Sequence, residues 1–231
     1  MVYVLVPTDV VGVSFFVTCM ALLASTVFFF AERADVNVHW RTSMTVAGLV
    51  TGVAFVHYYY MRQIWVAGLG TPTVFRYVDW FITVPLQIIE FYLILVAVGF
   101  KGHGLFTKLL LASVLMLVFG YFGEVGLGNA WVCFILGMAA WLYIIWEIFL
   151  GEAGNFNAKS NNKAGQQAFH TIRLIVTIGW AIYPIGYFFG YLNGALSEEL
   201  LNLVYNLADF VNKIAFGLAI WAAAKLDTKH A

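Results

Sequence analysis

Arg76-Tyr77-Val78-Asp79-Trp80-Phe81-Ile82-Thr83-Val84-Pro85-Leu86-Gln87-Ile88-Ile89-Glu90 is the stretch whose reading decides the fold. On a helix at 100° per residue, Arg76, Asp79, Thr83, Gln87 and Glu90 fall within about 80° of one another. Every remaining position is apolar, aromatic or proline. A helix that is apolar around most of its circumference and polar along one stripe turns the stripe toward the inside of a bundle and the rest toward lipid. Such a stripe is either a water-lined structural seam or a transport path. Acid groups at two depths, Asp79 and Glu90, favour the path.

Working outward, residues 74–98 form one apolar run, long enough for a hydrocarbon core that needs roughly 20 residues per helical span. Six more runs of that kind follow the same rule, giving approximate spans 9–31, 42–62, 74–98, 105–123, 129–150, 169–191 and 199–224. The breaks are Glu32 to Trp40, Ala67 to Thr73, Gly99 to Gly104, Glu124 to Gly128, Gly151 to Gln167 and Asn193 to Glu198. The longest of these, with Asn155, Asn157, Ser160, Asn161, Asn162 and Lys163, reads as a solvated loop. The expectation is an all-α membrane protein, a seven-transmembrane-helix bundle in which residues 1–231 make one domain.

Composition agrees. Only 10% of the residues are charged, against about a quarter in soluble domains, so a water-facing coat is not available. Net charge is zero, with 12 basic and 12 acidic residues, which gives nucleic-acid binding no support. Cys19 and Cys133 lie inside apolar runs, which argues against a structural disulfide and a zinc site. No nucleophile–base pair or metal cluster suggests an enzyme. Met1 to Pro7 lacks the basic and small-residue features of a signal peptide, so either none is needed or it has been removed.

Basic residues set an expected direction. Arg33, Arg41, Lys101, Lys108, Lys159, Lys163, Arg173, Lys225 and Lys229 fall at one end of the predicted bundle, Arg62 and Arg76 at the other. By the positive-inside rule the N-terminus lies outside and the C-terminus in the cytoplasm of a multi-pass protein of the cell (plasma or inner) membrane.

Ionisable groups within the spans are functional suspects, because charge at mid-bilayer is costly. Besides Asp79 and Glu90 these are His57, Asp209 and Lys213. Lys213 lies more than about 15 Å from either end of its span, beyond the roughly 6 Å reach of its side chain. Asp209, four residues earlier, shares its helix face. Spacing alone leaves two readings open: a structural Lys–Asp pair, or an amine reserved for covalent chemistry. Asp79 and Glu90 are 11 residues apart, roughly 16 Å, too far for direct proton exchange, and a group on Lys213 would fill the gap.

Three motifs then carry a family likeness. Arg76 to Leu86 resembles the third helix of microbial (type 1) rhodopsins; Trp180-Ala181-Ile182-Tyr183-Pro184 and Asp209-Phe210-Val211-Asn212-Lys213 resemble their sixth and seventh. The likeness runs from about Gly12 to Trp221 and is strongest to proteorhodopsins. It implies a retinal protein and photoreceptor in which all-trans retinal is bound to Lys213 as a protonated Schiff base. Asp79 would match the proton acceptor, Glu90 the cytoplasmic donor, His57 the histidine paired with that acceptor, Asp209 the second counterion and Arg76 the extracellular gate. Trp80, Thr83, Gln87, Met116, Trp180, Tyr183, Pro184 and Tyr187 would line the chromophore pocket. Glutamine at 87 resembles blue-absorbing variants. The implied activity is outward, light-driven proton transport, and the implied assembly a pentameric or hexameric ring.

Physical reasoning supports these roles. Ile88, Ile89 and Phe91 give Glu90 an apolar setting that penalises its carboxylate, as a proton donor requires. Trp80 and Trp180 supply flat apolar walls for a polyene. His57 can share a hydrogen bond with Asp79 or bond a neighbouring carbonyl. Pro184 interrupts the sixth helix. The alternative is a photosensory receptor signalling to a partner, and Glu90 argues against it, since a slow signalling cycle needs no fast internal donor. Chloride and sodium pumps of the family differ at the positions held here by Asp79, Thr83 and Glu90.

Overall fold

The computed structural model describes residues 4, 6–102 and 104–230. Most of the Met1 to Pro7 stretch that bears on a signal peptide therefore falls at or beyond the edge of the described residues. Among the described residues the chain makes seven helical passes. They comprise α1 (Val10–Glu32), α2 (Arg41–Val66), α3 (Thr73–Ala97), α4 (Gly104–Glu124) and α5 (Ala130–Phe149). After these come α6 (Glu152–Lys159), α7 (Lys163–Leu174), α8 (Ile182–Tyr187) and α9 (Glu198–His230). A π-helical segment, Ile175–Gly179, joins α7 to α8, and a second, Phe188–Leu192, extends α8 to complete one sixth pass.

Six passes are long and apolar enough to cross a membrane. The second, α2, is long enough at 26 residues, but Thr42, Ser43, Thr45, Thr51, His57, Arg62 and Gln63 dilute its hydropathy. Neighbours in sequence pack side by side from α1 to α5, α7 packs on α9 and α3, and α9 returns against α1 and α2, closing the bundle. Burial is inverted relative to a soluble protein: Val27, Ile82, Leu111, Ile135 and Ile178 are exposed, while Arg76, Asp79, Glu90, Asp209 and Lys213 are buried. Lipid is the solvent that suits such a surface.

Caps fix the helix ends. Asp9 accepts from Gly12 N–H at 2.8 Å and also from Trp65 Nε1 at 3.1 Å, so one carboxylate starts α1 and ties it to the end of α2. Gly126, at φ 72°, ends α4 in the left-handed conformation while Leu127 N–H reaches Phe122 O at 2.9 Å. At the other end of the bundle Asp227 accepts from His39 Nε2 (2.7 Å), Trp40 Nε1 (2.8 Å) and Asn162 Nδ2 (2.9 Å), fastening the α1–α2 turn and the start of α7 to α9.

The stretch read as a solvated loop, Gly151 to Gln167, is mostly helical. Gly151 breaks α5, Asn155 Nδ2 caps the Leu150 carbonyl at 2.8 Å, and buried Glu147 accepts from Ala153 N–H at 3.2 Å, so α6 starts at once. Asn162 then caps α7 through Gly165 N–H at 2.7 Å. Two of the asparagines that suggested a loop, Asn155 and Asn162, act as caps.

The sixth pass is irregular because of Pro184. Pro184 has no N–H to give the Trp180 carbonyl, which is served instead by Tyr183 N–H at 3.1 Å. In the π segment Trp180 N–H reaches back five residues to Ile175 O at 3.0 Å. Carbonyls in this wider turn bond across the bundle: Trp141 Nε1 donates to Val176 O at 3.1 Å and Asn212 Nδ2 to Gly179 O at 3.0 Å. A Cβ at Gly179 would collide with the Asn212 amide. The break is thereby locked against the residue next to Lys213.

Candidate functional site: a buried lysine at the end of an apolar cavity

Lys213 comes from the middle of α9 and meets α3 across the bundle. Its Nζ is paired with Asp79 Oδ2 and with Asp209 Oδ2, the latter at 3.1 Å. All three side chains are buried, so an unpaired charge here would cost several kcal/mol. The two carboxylates are held very differently. Asp209 also accepts from Tyr58 OH (2.8 Å), Tyr183 OH (2.6 Å) and Trp80 Nε1 (3.3 and 3.4 Å). With Lys213, four groups donate to this carboxyl, the set of partners a carboxylate calls for. Among the described residues Asp79 has Lys213 alone, and its Oδ1 has no hydrogen-bond partner. Of the two, Asp79 is the less fully bonded.

From Lys213 an apolar cavity of about 110 Å³ runs between α3, α4, α5 and the sixth pass. Trp80, Gln87, Met116, Trp180, Tyr183, Pro184 and Tyr187, all expected from sequence, line it together with Asp209 and Lys213. Gly120 and Gly137 are also in its wall, where no side chain narrows it, and Phe134, Met138 and Trp141 complete the side formed by α5. Gln87 is buried and its Nε2 has no partner among the described residues. One amine, a long apolar slot and flat aromatic walls fit a long apolar aldehyde able to condense with Nζ.

Other expected residues stand apart. Glu90, fully buried, lies 11 residues along the same continuous helix from Asp79, roughly 16 Å. Its carboxyl oxygens make no well-formed hydrogen bond, and Ser43 of α2 is its polar neighbour. Arg76 does not bond Asp79; its Nη2 donates to Asn202 Oδ1 at 2.9 Å and Asn206 Oδ1 at 3.1 Å. His57 is near enough to act on Asp79 electrostatically, yet its Nδ1 bonds the Val53 carbonyl at 2.9 Å and no hydrogen bond joins the two. Thr83, expected in the pocket wall, instead turns its hydroxyl back to the Asp79 carbonyl at 3.0 Å, the usual bond of a mid-helix threonine.

Sequence reasoning missed Tyr58, Asn202, Asn206, Asn212 and Trp141. The asparagines carried a usable signal: Asn202, Asn206, Asp209 and Lys213 step by 4, 3 and 4 residues along one face of α9. Tyr58 carried none within the run Tyr58-Tyr59-Tyr60.

Comparison with known proteins agrees with this geometry. The model of a family described as "Bacteriorhodopsin-like protein" matches residues 9–226. A green-light absorbing proteorhodopsin of Gamma-proteobacterium EBAC31A08 is 55% identical over 97% of this chain and 90% of its own length. A blue-light absorbing proteorhodopsin of Gamma-proteobacterium Hot 75m4 is 51% identical over the same shares. The crystal structure of blue light-absorbing proteorhodopsin from Med12 superposes with a TM-score of 0.84 at 61% identity, covering 95% of this chain and all of that one. With its lipid-facing surface and apolar passes, the chain is a multi-pass membrane protein that belongs to the bacteriorhodopsin-like family, alongside the proteorhodopsins.

Proposed function

We propose that the chain is a light-driven outward proton pump that absorbs blue light. The observation that carries this is the unequal hold on the two carboxylates at Lys213: one fixed anion, Asp209, and one under-bonded acceptor, Asp79. All-trans retinal, held by Lys213 Nζ as a protonated Schiff base formed with loss of water, would supply light absorption and a light-driven change in the proton affinity of Nζ. Asp79 Oδ1 is free to accept the proton that Nζ gives up. Asp209 stays ionised under its four donors and keeps the site's charge balanced. Glu90, buried without a strong partner, holds a proton in reserve and returns it to Nζ. That stored proton favours pumping over a sensory role.

Direction follows from polarity along α3 and α9. Nine basic residues at one end against Arg62 and Arg76 at the other support an outside N-terminus and a cytoplasmic C-terminus. Arg76 is buried, so the contrast at the surface is sharper still. Asp79 is then external to Lys213 and Glu90 internal. Assembly into a pentameric or hexameric ring is carried over from the family likeness.

Illuminating retinal-loaded cells in unbuffered medium tests the proposal. Acidification abolished by a protonophore supports it; unchanged pH, or alkalinisation, refutes it. Glu90→Gln should leave colour and the first deprotonation of Nζ intact and slow the return of the proton to Nζ by about 10²-fold, the usual weight of one acid–base group. Flash spectroscopy reads that return, and an unaltered rate would remove Glu90 from the donor role.

Gln87 supports the blue assignment. Excitation moves positive charge away from Nζ along a conjugated chain, so a dipole near the nitrogen end that favours the ground state widens the gap. Gln87→Leu is expected to shift absorption to longer wavelength by roughly 10–20 nm, the equivalent of about 1–2 kcal/mol, the scale of one hydrogen bond. An absorption spectrum of the purified pigment decides it, and a shift to shorter wavelength would count against the assignment.

A further inference from the structure

Arg76 is 1% exposed, and a buried guanidinium ordinarily sits on a carboxylate. Here its Nη2 donates to two neutral amides, Asn202 and Asn206, while Nε and Nη1 have no partner among the described residues. The rings of Phe15 and Tyr205 cover it at 5.6 and 5.4 Å. Neither Asp79 nor Asp209 accepts a hydrogen bond from it.

Both amides are themselves fixed. Asn202 Nδ2 donates to the Glu198 carbonyl at 2.8 Å and to Thr71 Oγ1 at 3.2 Å; Asn206 Nδ2 donates to Ser14 Oγ at 2.9 Å. With each NH₂ engaged elsewhere, each amide oxygen faces Arg76. The anchors come from three other places, α1, the α2–α3 turn and the first turn of α9, so the orientation is set by the fold. Asn206 and Asn202 precede Lys213 by 7 and 11 residues, roughly 10 and 16 Å along α9. They draw the Arg76 charge away from Lys213, toward the end of the bundle where α9 begins.

We propose that Asn202 and Asn206 are positioning residues for proton transfer, a neutral clamp that holds the Arg76 guanidinium back from Asp79 and so leaves Asp79 able to gain a proton. The proposal rests on the pump reading only for the role of Asp79. Neutrality matters: a carboxylate at either position would cancel the Arg76 charge, and an apolar residue would release it toward the remaining buried anions. Groups facing Arg76 are Tyr58 of α2, Glu124 of α4, and Asp209 and Tyr205 of α9; those facing Asp79 are His57 of α2, and Asp209 and Lys213 of α9. The substitutions below leave all of them in place.

The test is a dark absorption titration of the retinal-loaded protein, whose colour changes as Asp79 takes up a proton. Asn206→Leu is expected to move the midpoint to lower pH by about one unit, a tenfold change in proton binding, and Asn206→Asp to move it higher. In an Arg76→Gln background Asn206→Leu should have no effect, because the clamp acts only through the guanidinium. Pigment formation reports folding, and Asn202→Leu is the second variant for the same comparison. Nitrogen-15 spectra of arginine in retinal-free protein provide a readout apart from colour: the Arg76 Nη resonances should shift in Asn206→Leu. An unmoved midpoint in folded variants, or the same shift with Arg76 absent, overturns the proposal. Failure of the pump reading looks different, since wild-type protein would then not acidify the medium while the titration differences persist.

Discussion

Lys213→Ala is expected to give a protein that stays colourless with retinal and leaves external pH unchanged in the light. Lys213 is the one lysine in the cavity wall among the described residues, so no second amine is placed to condense with an aldehyde there. The loss should be complete, because without the covalent link neither absorption nor a proton-bearing Nζ exists. Stability should fall as well. Removing the cation leaves Asp79 and Asp209 buried together, and breaking a buried ion pair from one side costs about 3–5 kcal/mol. Asp79 can relieve part of that by taking a proton, whereas Asp209 keeps Tyr58, Tyr183 and Trp80. The double variant Lys213→Ala, Asp79→Asn should therefore melt higher than Lys213→Ala alone. A pigment band in Lys213→Ala would show that the chromophore is held elsewhere.

Asp79→Asn should still form a pigment and lose its transport. An amide fills the same space and leaves Asp209 to balance Lys213, so pigment forms. The partner of Nζ becomes neutral, which removes an interaction of about 4 kcal/mol for charges some 4 Å apart at an effective dielectric near 20. Since that partner stabilises positive charge at Nζ in the ground state, its loss narrows the gap and moves the pigment band to longer wavelength, on the order of 20–40 nm. Light-driven acidification should fall by at least about 10²-fold, because an amide cannot accept the proton. Asp209→Asn is the control: it should disturb pigment formation and stability more, as Tyr58 and Tyr183 would each lose a charged acceptor. Transport that survived in Asp79→Asn would move the acceptor role to Asp209.

Much of this site is legible in the order of residues alone. The stripe on α3 marks an interior, and the depth of Lys213 marks a reserved group, because both depend only on helical period and the thickness of lipid. Side-chain direction is not legible in the same way. His57 has two reachable partners, and it bonds the Val53 carbonyl of its own helix; nothing in the local sequence distinguishes that rotamer from one facing Asp79. Arg76 goes to amides on α9 because packing brings that face opposite, a relation that hydropathy of α3 does not contain. The wheel that exposes the stripe on α3 would, drawn on α9, also have found Asn202 and Asn206. The polar segment after Gly151 misleads for another reason: asparagine marks caps as readily as loops, and only the partners Leu150 and Gly165 separate the two.

The π segment at Ile175–Gly179 divides the sixth pass into two stretches that do not share a face. Each such turn carries one residue more than α-helical geometry allows, so the faces before and after it are out of phase by about 100°. A π turn is what a single inserted residue leaves in a helix. Positions on either side of it therefore mutate under different geometrical rules, and a wheel drawn through Lys163–Leu192 as one cylinder assigns residues beyond the turn to the wrong side. Deleting one residue within Ile175–Gly179 would restore ordinary phase and turn Trp180, Tyr183 and Tyr187 together out of the cavity. Inserting one elsewhere in the pass would not compensate unless it fell before Trp180.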